Sequence, residues 1–234
     1  MKWRFFDIHS PKNMQDIGII IKKLTHTKIN FEKYLLLTAR FISMAFSPFY
    51  LPLVAFAVLF MFSYMKTYPL GYKVVVLSFV WFFTIALPRL SIYLYRKING
   101  WKRHQISPRH RRIVPYVLSI ACYSALLYVM HQTHVPRPAV GIVIAALVMQ
   151  VICSLINPWF KVSTHAAAAG GTIGMLMAYS IIFHFDPTSW LCFFILLGGM
   201  VCSSRIVLRQ HTLGELGWGI VIGFFSSFFS VIFA

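Results

Sequence analysis

The stretch AVGIVIAALVMQVICSLI, residues 139–156, contains eighteen residues and no charged side chain. An apolar helix of about 20 residues crosses the roughly 30 Å hydrocarbon core of a bilayer. Similar stretches recur on both sides of it, and the whole chain of 234 residues is 59% hydrophobic and only 12% charged, with a mean hydropathy of +0.72. That composition is too apolar for a soluble domain. The sequence therefore predicts an all-α, polytopic transmembrane helical bundle.

Seven stretches are long enough to be spans, although the first contains two prolines. Pro48 and Pro52 predict a bend or a partial crossing there, which would reduce the count to six. Residues 1–40 form a separate basic segment, a candidate for the membrane interface, and residues 41–234 form one transmembrane domain. The predicted spans cover residues 44–65, 74–95, 113–130, 139–156, 164–183, 189–207 and 213–233.

The net charge of +17 is distributed as in a membrane protein, so nucleic acid is not the expected partner. With seven spans, 18 of the 22 Lys and Arg residues lie on one face, and only Lys66, Lys73 and Arg137 lie on the other. Arg89 lies inside the second span, near enough to its end to snorkel towards the basic face. The positive-inside rule makes the basic face cytoplasmic. A second interpretation is that some of these cations bind phosphate.

Acidic residues are scarce, which makes one of them informative. After Glu32 the chain contains only Asp186 and Glu215, and Glu215 stands four positions after His211. A charged carboxylate beside a membrane span is costly unless it has a partner. Two crossings separate each of the segments 107–115, 161–165 and 205–215 from the next. All three therefore emerge on the same face of the predicted bundle.

Two of these segments resemble known signatures. In SRIVLRQHTLGE, Ser204 and Arg205 are followed by His211 and Glu215, a spacing similar to the third signature of the type 2 phosphatidic acid phosphatase superfamily, which usually ends in Asp. The segment KVSTHAAAAGG, residues 161–171, resembles the second signature, usually Pro-Ser-Gly-His. The two occur in the order and at roughly the separation typical of that family of membrane lipid phosphatases. Residues 41–234 are therefore interpreted as a phosphatase-like domain.

The first signature, commonly a Lys, six residues and then Arg-Pro, matches less closely. Arg109 and Arg112, followed by Pro115, are the preferred candidates, because they lie at a spacing of three on one side of a helical turn. A literal Arg-Pro occurs at Arg137, but that loop is one crossing away from the second signature. The signatures lie within residues 107–215.

The resemblance implies a phosphate site at the membrane interface. A phosphate monoester carries close to two negative charges and needs several cations and NH donors already in place. Ser163 or Thr164, at the start of the fifth span, could add a hydroxyl and backbone NH groups, although the family usually has Gly where Thr164 stands. The predicted phosphate-binding residues are Arg109, Arg112, Lys161, Ser163, Thr164 and Arg205.

The family chemistry assigns three catalytic roles. His211 would attack phosphorus to form a phospho-histidine, with Glu215 holding its other ring nitrogen. His165 would act as general acid and then as general base. No metal and no other cofactor is expected, since the chain lacks the carboxylate cluster of a magnesium-dependent phosphatase.

Several alternatives stay open at the level of sequence. Thr212 followed by Glu215 also fits a capping box, in which the acid would only cap a helix. Transfer of the phosphoryl group to another lipid, or non-enzymatic lipid or anion carriage, are alternatives to hydrolysis. The small residues at 166–170, Gly174, Gly219 and Gly223 are interpreted as helix-packing positions.

The expected substrate is a membrane lipid phosphate, such as phosphatidic acid, phosphatidylglycerol phosphate, a polyprenyl diphosphate or lipid A. The expected location is the bacterial cytoplasmic membrane. The face that carries the site is open, since the charge distribution favours the cytoplasmic side and the bacterial relatives mostly act on the periplasmic side. Neither the oligomeric state nor the particular lipid follows from the sequence.

Overall fold

The computed structural model of the protein describes residues 32–100 and 109–234, and within them the secondary structure is helical with no strand. Most of the predicted basic segment, residues 1–31, lies outside the described residues. The helices are α1 (residues 32–45), α2 (Leu51–Phe62), α3 (Leu70–Trp81), α4 (Leu87–Ile98), α5 (Arg109–Gln132), α6 (Arg137–Ile156), α7 (Thr164–Phe183), α8 (Thr188–Val207) and α9 (Leu213–Phe233).

The predicted all-α membrane bundle is confirmed. In the described part of the chain six helical segments are long and apolar enough to cross a membrane, with α3 and α4 counting as one continuous segment, Leu70–Ile98. The bounds of the last three predicted spans agree with α7, α8 and α9 to within one residue. The protein is therefore an integral membrane protein that associates with a lipid bilayer.

The first predicted span, residues 44–65, is wrong as a single crossing. The chain leaves helical structure at residues 46–50 and starts again as α2, which has 12 residues and is only about 18 Å long. Pro48 has no backbone NH and disfavours helix at the residue before it, whereas Pro52 is tolerated in the first turn of α2. The count is thus six full-length spans plus a short apolar helix.

A π-helical turn, Phe82–Ala86, joins α3 to α4. Pro88 in the first turn of α4 cannot donate a hydrogen bond to the preceding turn, so the backbone there must rearrange. The hydroxyl of Thr84 is fully buried and donates to the carbonyl of Val80 at 2.7 Å. The turn therefore keeps its polar groups paired inside the bundle.

The closest helix contact is between α7 and α9, and it depends on glycine. A Cβ atom at Gly223 would overlap the carbonyl oxygen of Ala167, and one at Gly170 would overlap that of Ile220. A Cβ at Gly219 would lie 2.8 Å from the carbonyl oxygen of Ser163. The predicted role of these small residues in close helix packing is confirmed.

Prediction: Gly223→Ala should lower the stability of the protein by about 1–3 kcal/mol, because the added methyl group forces two helix backbones apart. The matched control is Gly217→Ala in the same helix, where no described atom lies within 4 Å of the added Cβ. Thermal unfolding in detergent measures both. Equal melting temperatures for the two variants would contradict the proposed backbone contact.

Candidate active site

The turn between α8 and α9 fixes the position of His211. Arg209 adopts a left-handed conformation with φ of 51°. The NH of Arg209 donates to the carbonyl of Ile206 at 2.8 Å, and the NH of Gln210 donates to that of Arg205 at 3.1 Å. These two bonds form a Schellman motif, which closes α8 and reverses the chain within a few residues.

His211 and Glu215 form an ion pair at this turn. The Nδ1 atom of His211 lies 2.8 Å from Oε2 of Glu215. A carboxylate only accepts hydrogen bonds, so Nδ1 carries the proton and Nε2 of the neutral ring has the free lone pair. The pair therefore has the arrangement of an oriented nucleophile.

Glu215 also caps α9. Its Oε2 accepts the NH of Thr212 at 3.3 Å, and the Thr212 hydroxyl accepts the NH of Glu215 at 3.4 Å. The capping box expected as an alternative is thus present, and it coexists with the contact to His211. The same oxygen, Oε2 of Glu215, therefore contacts both the NH of Thr212 and the ring of His211.

The start of α7 lies against this turn. Ser163 is fully buried, its hydroxyl accepts the NH of Ala166 at 3.4 Å, and its own NH donates to the carbonyl of Glu215 at 3.3 Å. Ser163 therefore acts as the N-cap of α7 and as a link to α9. Thr164, the next residue, is partly exposed.

Lys161 and Arg205 bring positive charge to the same place. The Nζ atom of Lys161 donates to the carbonyl of Gln210, immediately before His211. Arg205 is partly buried and donates from Nη1 to the hydroxyl of Ser43 at 2.7 Å. Arg205 forms no ion pair with a carboxylate in the described part of the chain.

His165, the other predicted catalytic histidine, also contacts Ser43. Its Nε2 atom lies 3.2 Å from the backbone carbonyl oxygen of that residue. Neither Nδ1 of His165 nor Nε of Arg205 has a hydrogen-bond partner among the described residues, although both atoms are buried. Buried polar atoms without partners are uncommon, and here they lie on two side chains that share one neighbour.

The electrostatic environment lowers the pKa of His211 below its ordinary value. Burial is the main cause, and the nearby charges of Lys161 and Arg205 act in the same direction. The hydrogen bond and charge of Glu215 oppose this effect by stabilising the protonated ring. His211 is therefore mostly neutral at neutral pH, the form in which Nε2 has a free lone pair.

A large apolar cavity opens beside His165. Its volume is about 870 Å³, and its lining follows α7 from Thr164 and His165 to Tyr179 and Phe183. Eighteen residues of helix separate His165 from Phe183, which corresponds to about 27 Å. The cavity therefore extends from the polar site across most of the hydrocarbon layer.

Three further arginines were considered for the first signature in the sequence. Arg109 and Arg112 lie in the first turn of α5, but their side chains are not among those that the structure describes, so their assignment stays a prediction. Arg137 begins α6, whose other end connects to α7, so it lies at the opposite end of the bundle from His165. The literal Arg-Pro sequence is thus separated from the site.

Comparison of the chain with protein-family models, with curated proteins and with solved structures finds no match. The resemblance to the phosphatase superfamily therefore rests on the residues of the second and third signatures. The structure brings most of these residues together, and it adds Ser43. Sequence reasoning missed Ser43 because a single serine in an apolar helix forms no motif and lies before the segment that carries the resemblance.

Prediction: the pKa of His211, followed by NMR of isotope-labelled histidine, should lie below 6.5, the ordinary value. Glu215→Gln should lower it further because the charge that stabilises the imidazolium is lost. Lys161→Met should raise it because a repelling cation is removed. Asp186→Asn, an exposed carboxylate before α8, is the control and should leave the titration unchanged. No change with Glu215→Gln would contradict the pairing.

Proposed function

We propose that the protein is a membrane lipid phosphatase that hydrolyses a phosphate ester or diphosphate of a membrane lipid through a phospho-histidine. The observation that carries this proposal is the His211–Glu215 pair, 2.8 Å apart and under the electrostatic influence of two cations. Lys161 and Arg205 both act electrostatically on His211, so two cations lie close to this pair. Two cations at one site favour an anionic ligand.

In the first step Nε2 of His211 forms a bond to phosphorus. The bond between phosphorus and the lipid alcohol oxygen breaks, and protonated His165 gives that oxygen a proton. Glu215 accepts the Nδ1 hydrogen of His211 and stabilises the positive charge that develops on the ring. Arg205 and Lys161 stabilise the negative charge on the phosphoryl oxygens.

In the second step water attacks phosphorus. Neutral His165 takes a proton from the water as the bond to Nε2 breaks, and the electron pair returns to His211. Inorganic phosphate leaves, and both histidines regain the forms in which they began. The residues thus complete a cycle in which protons and bonds balance.

The cavity beside His165 supports a lipid as the substrate. A phosphate group held by Arg205 and Lys161 would lie at the mouth of a space lined by apolar side chains such as Leu59, Met175 and Phe194. An amphiphile with its phosphate at headgroup level fits both parts of the site.

Prediction: His211→Ala and His165→Ala should each reduce phosphate release by purified protein at least about a thousandfold, the effect typical of lost catalytic groups. The substrates are a panel of lipid phosphates, assayed with EDTA present. His131→Ala, an exposed histidine near the end of α5, is the matched control. Full activity of either catalytic variant would refute the mechanism.

The same assay distinguishes the alternatives. Arg205→Ala should lose activity, because phosphate stabilisation weakens, whereas the exposed Arg137 can be replaced by Ala without loss. Appearance of labelled phosphate on an acceptor lipid, with little free phosphate, would identify a phosphotransferase. Lipid binding that persists without any turnover in the wild-type protein would identify a carrier.

Prediction: Thr172→Phe should reduce kcat/KM for long-chain lipid phosphates more than for short-chain ones, because Thr172 lines the cavity and a larger side chain occupies it. Ile181→Phe, an exposed position in the same helix, is the control. The measurement is the ratio of kcat/KM for two chain lengths. An unchanged ratio in Thr172→Phe would exclude the cavity as the chain-binding site.

A further inference from the structure

Ser43 is a buried polar residue on a helix that is otherwise largely exposed. Within α1, Ala39 and Ser43 are buried and stand one turn apart, whereas Leu37, Phe41 and Met44 are exposed. Residues four apart lie on the same face of a helix. The helix α1 therefore meets the bundle along the row formed by Ala39 and Ser43.

The hydroxyl of Ser43 contacts one edge of the Arg205 guanidinium. It accepts from Nη1 at 2.7 Å, while Nε is buried and has no partner among the described residues. A guanidinium is planar, and the edge formed by Nε and Nη2 presents two parallel donors that match two oxygens of a phosphate. The contact to Ser43 thus fixes the plane of the group and keeps this edge available.

The carbonyl of Ser43 contacts one nitrogen of the His165 ring. A carbonyl oxygen only accepts hydrogen bonds, so Nε2, at 3.2 Å, carries the proton. In the neutral ring Nδ1 then has the lone pair, and this atom is buried without a partner in the described part of the chain. The nitrogen of His165 left for proton transfer is therefore Nδ1.

We propose that Ser43 is a positioning residue for phosphate binding and proton transfer, an inference that rests on the proposed function. Its hydroxyl orients Arg205 and its carbonyl orients His165. The Nε edge of Arg205 then binds the same phosphoester to which Nδ1 of His165 transfers a proton. When His165 is protonated, Nδ1–H goes to the leaving alcohol oxygen, and Nε2–H stays on the Ser43 carbonyl. The site thus includes α1, which carries none of the phosphatase-like signatures.

Ser43→Ala tests the contact with Arg205. Loss of a hydrogen bond to a charged group should lower kcat/KM for a lipid phosphate roughly tenfold to a hundredfold. Ser43→Thr keeps a hydroxyl and should restore most of the activity, while Met44→Ala, at an exposed position beside it, should behave as wild type. Wild-type kcat/KM in Ser43→Ala would overturn the proposal.

A double variant separates positioning from a general effect on folding. If Ser43 acts through the guanidinium, Ser43→Ala should cause little further loss in an Arg205→Lys background, because Lys lacks the planar two-donor edge. The full single-variant loss in that background would overturn the assignment. A ¹⁵N spectrum of the wild-type protein adds a test that needs no variant at Ser43. We expect the neutral His165 ring to carry its proton on Nε2, and a proton on Nδ1 would contradict the inference.

Binding of inorganic phosphate distinguishes failure of this inference from failure of the proposed function. Phosphate should stabilise the wild-type protein against heat, and Ser43→Ala should require roughly tenfold more phosphate for the same shift. Ser43-dependent phosphate binding without hydrolysis of any lipid phosphate would refute the phosphatase and leave the positioning role supported. Hydrolysis that does not depend on Ser43 would refute the positioning role alone. Absence of phosphate binding by the wild-type protein would overturn both.

Discussion

The structure depends on the close approach of two helix backbones, α7 and α9. Gly170, Gly219 and Gly223 lack the Cβ atoms that would hold these helices apart. In a bilayer, where apolar side chains gain little by leaving lipid, contact between backbones and small residues is a main source of helix association. The two segments that carry the site are more than 40 residues apart in sequence, and this contact brings the NH of Ser163 to the carbonyl of Glu215. The candidate site is thus located where the helix packing is tightest.

Two positive charges lie close together at the candidate site. Lys161 donates to the backbone carbonyl of Gln210, Arg205 donates to the hydroxyl of Ser43, and both cations act on His211. Partial burial of such groups costs free energy that a bound anion would recover. Binding of an anion should therefore stabilise the folded protein.

The sequence predicted the parts of the molecule that follow from local pattern. Apolar length placed α7, α8 and α9 to within a residue, because a bilayer fixes the length of a span. The contact between His211 and Glu215 was expected from the resemblance of their spacing to the family signature, and the structure has it at 2.8 Å, with His211 just before the N-cap of α9. Pro48 and Pro52 predicted a bend or a partial crossing, but not which of the two, since the length of α2 depends on tertiary packing. Ser43 could not be foreseen, because its importance comes from contacts across more than 120 residues of chain.

One oxygen of Glu215 links the stability of the start of α9 to the orientation of His211. Oε2 holds the first turn of α9 and also fixes the proton on Nδ1 of His211. Helix ends fray at temperatures well below those that unfold a bundle. When this turn frays, the imidazole loses its orienting partner at the same moment, while the remaining helices stay intact. Heating should therefore disrupt this site first, as a local and reversible event at the membrane surface, before any span unfolds.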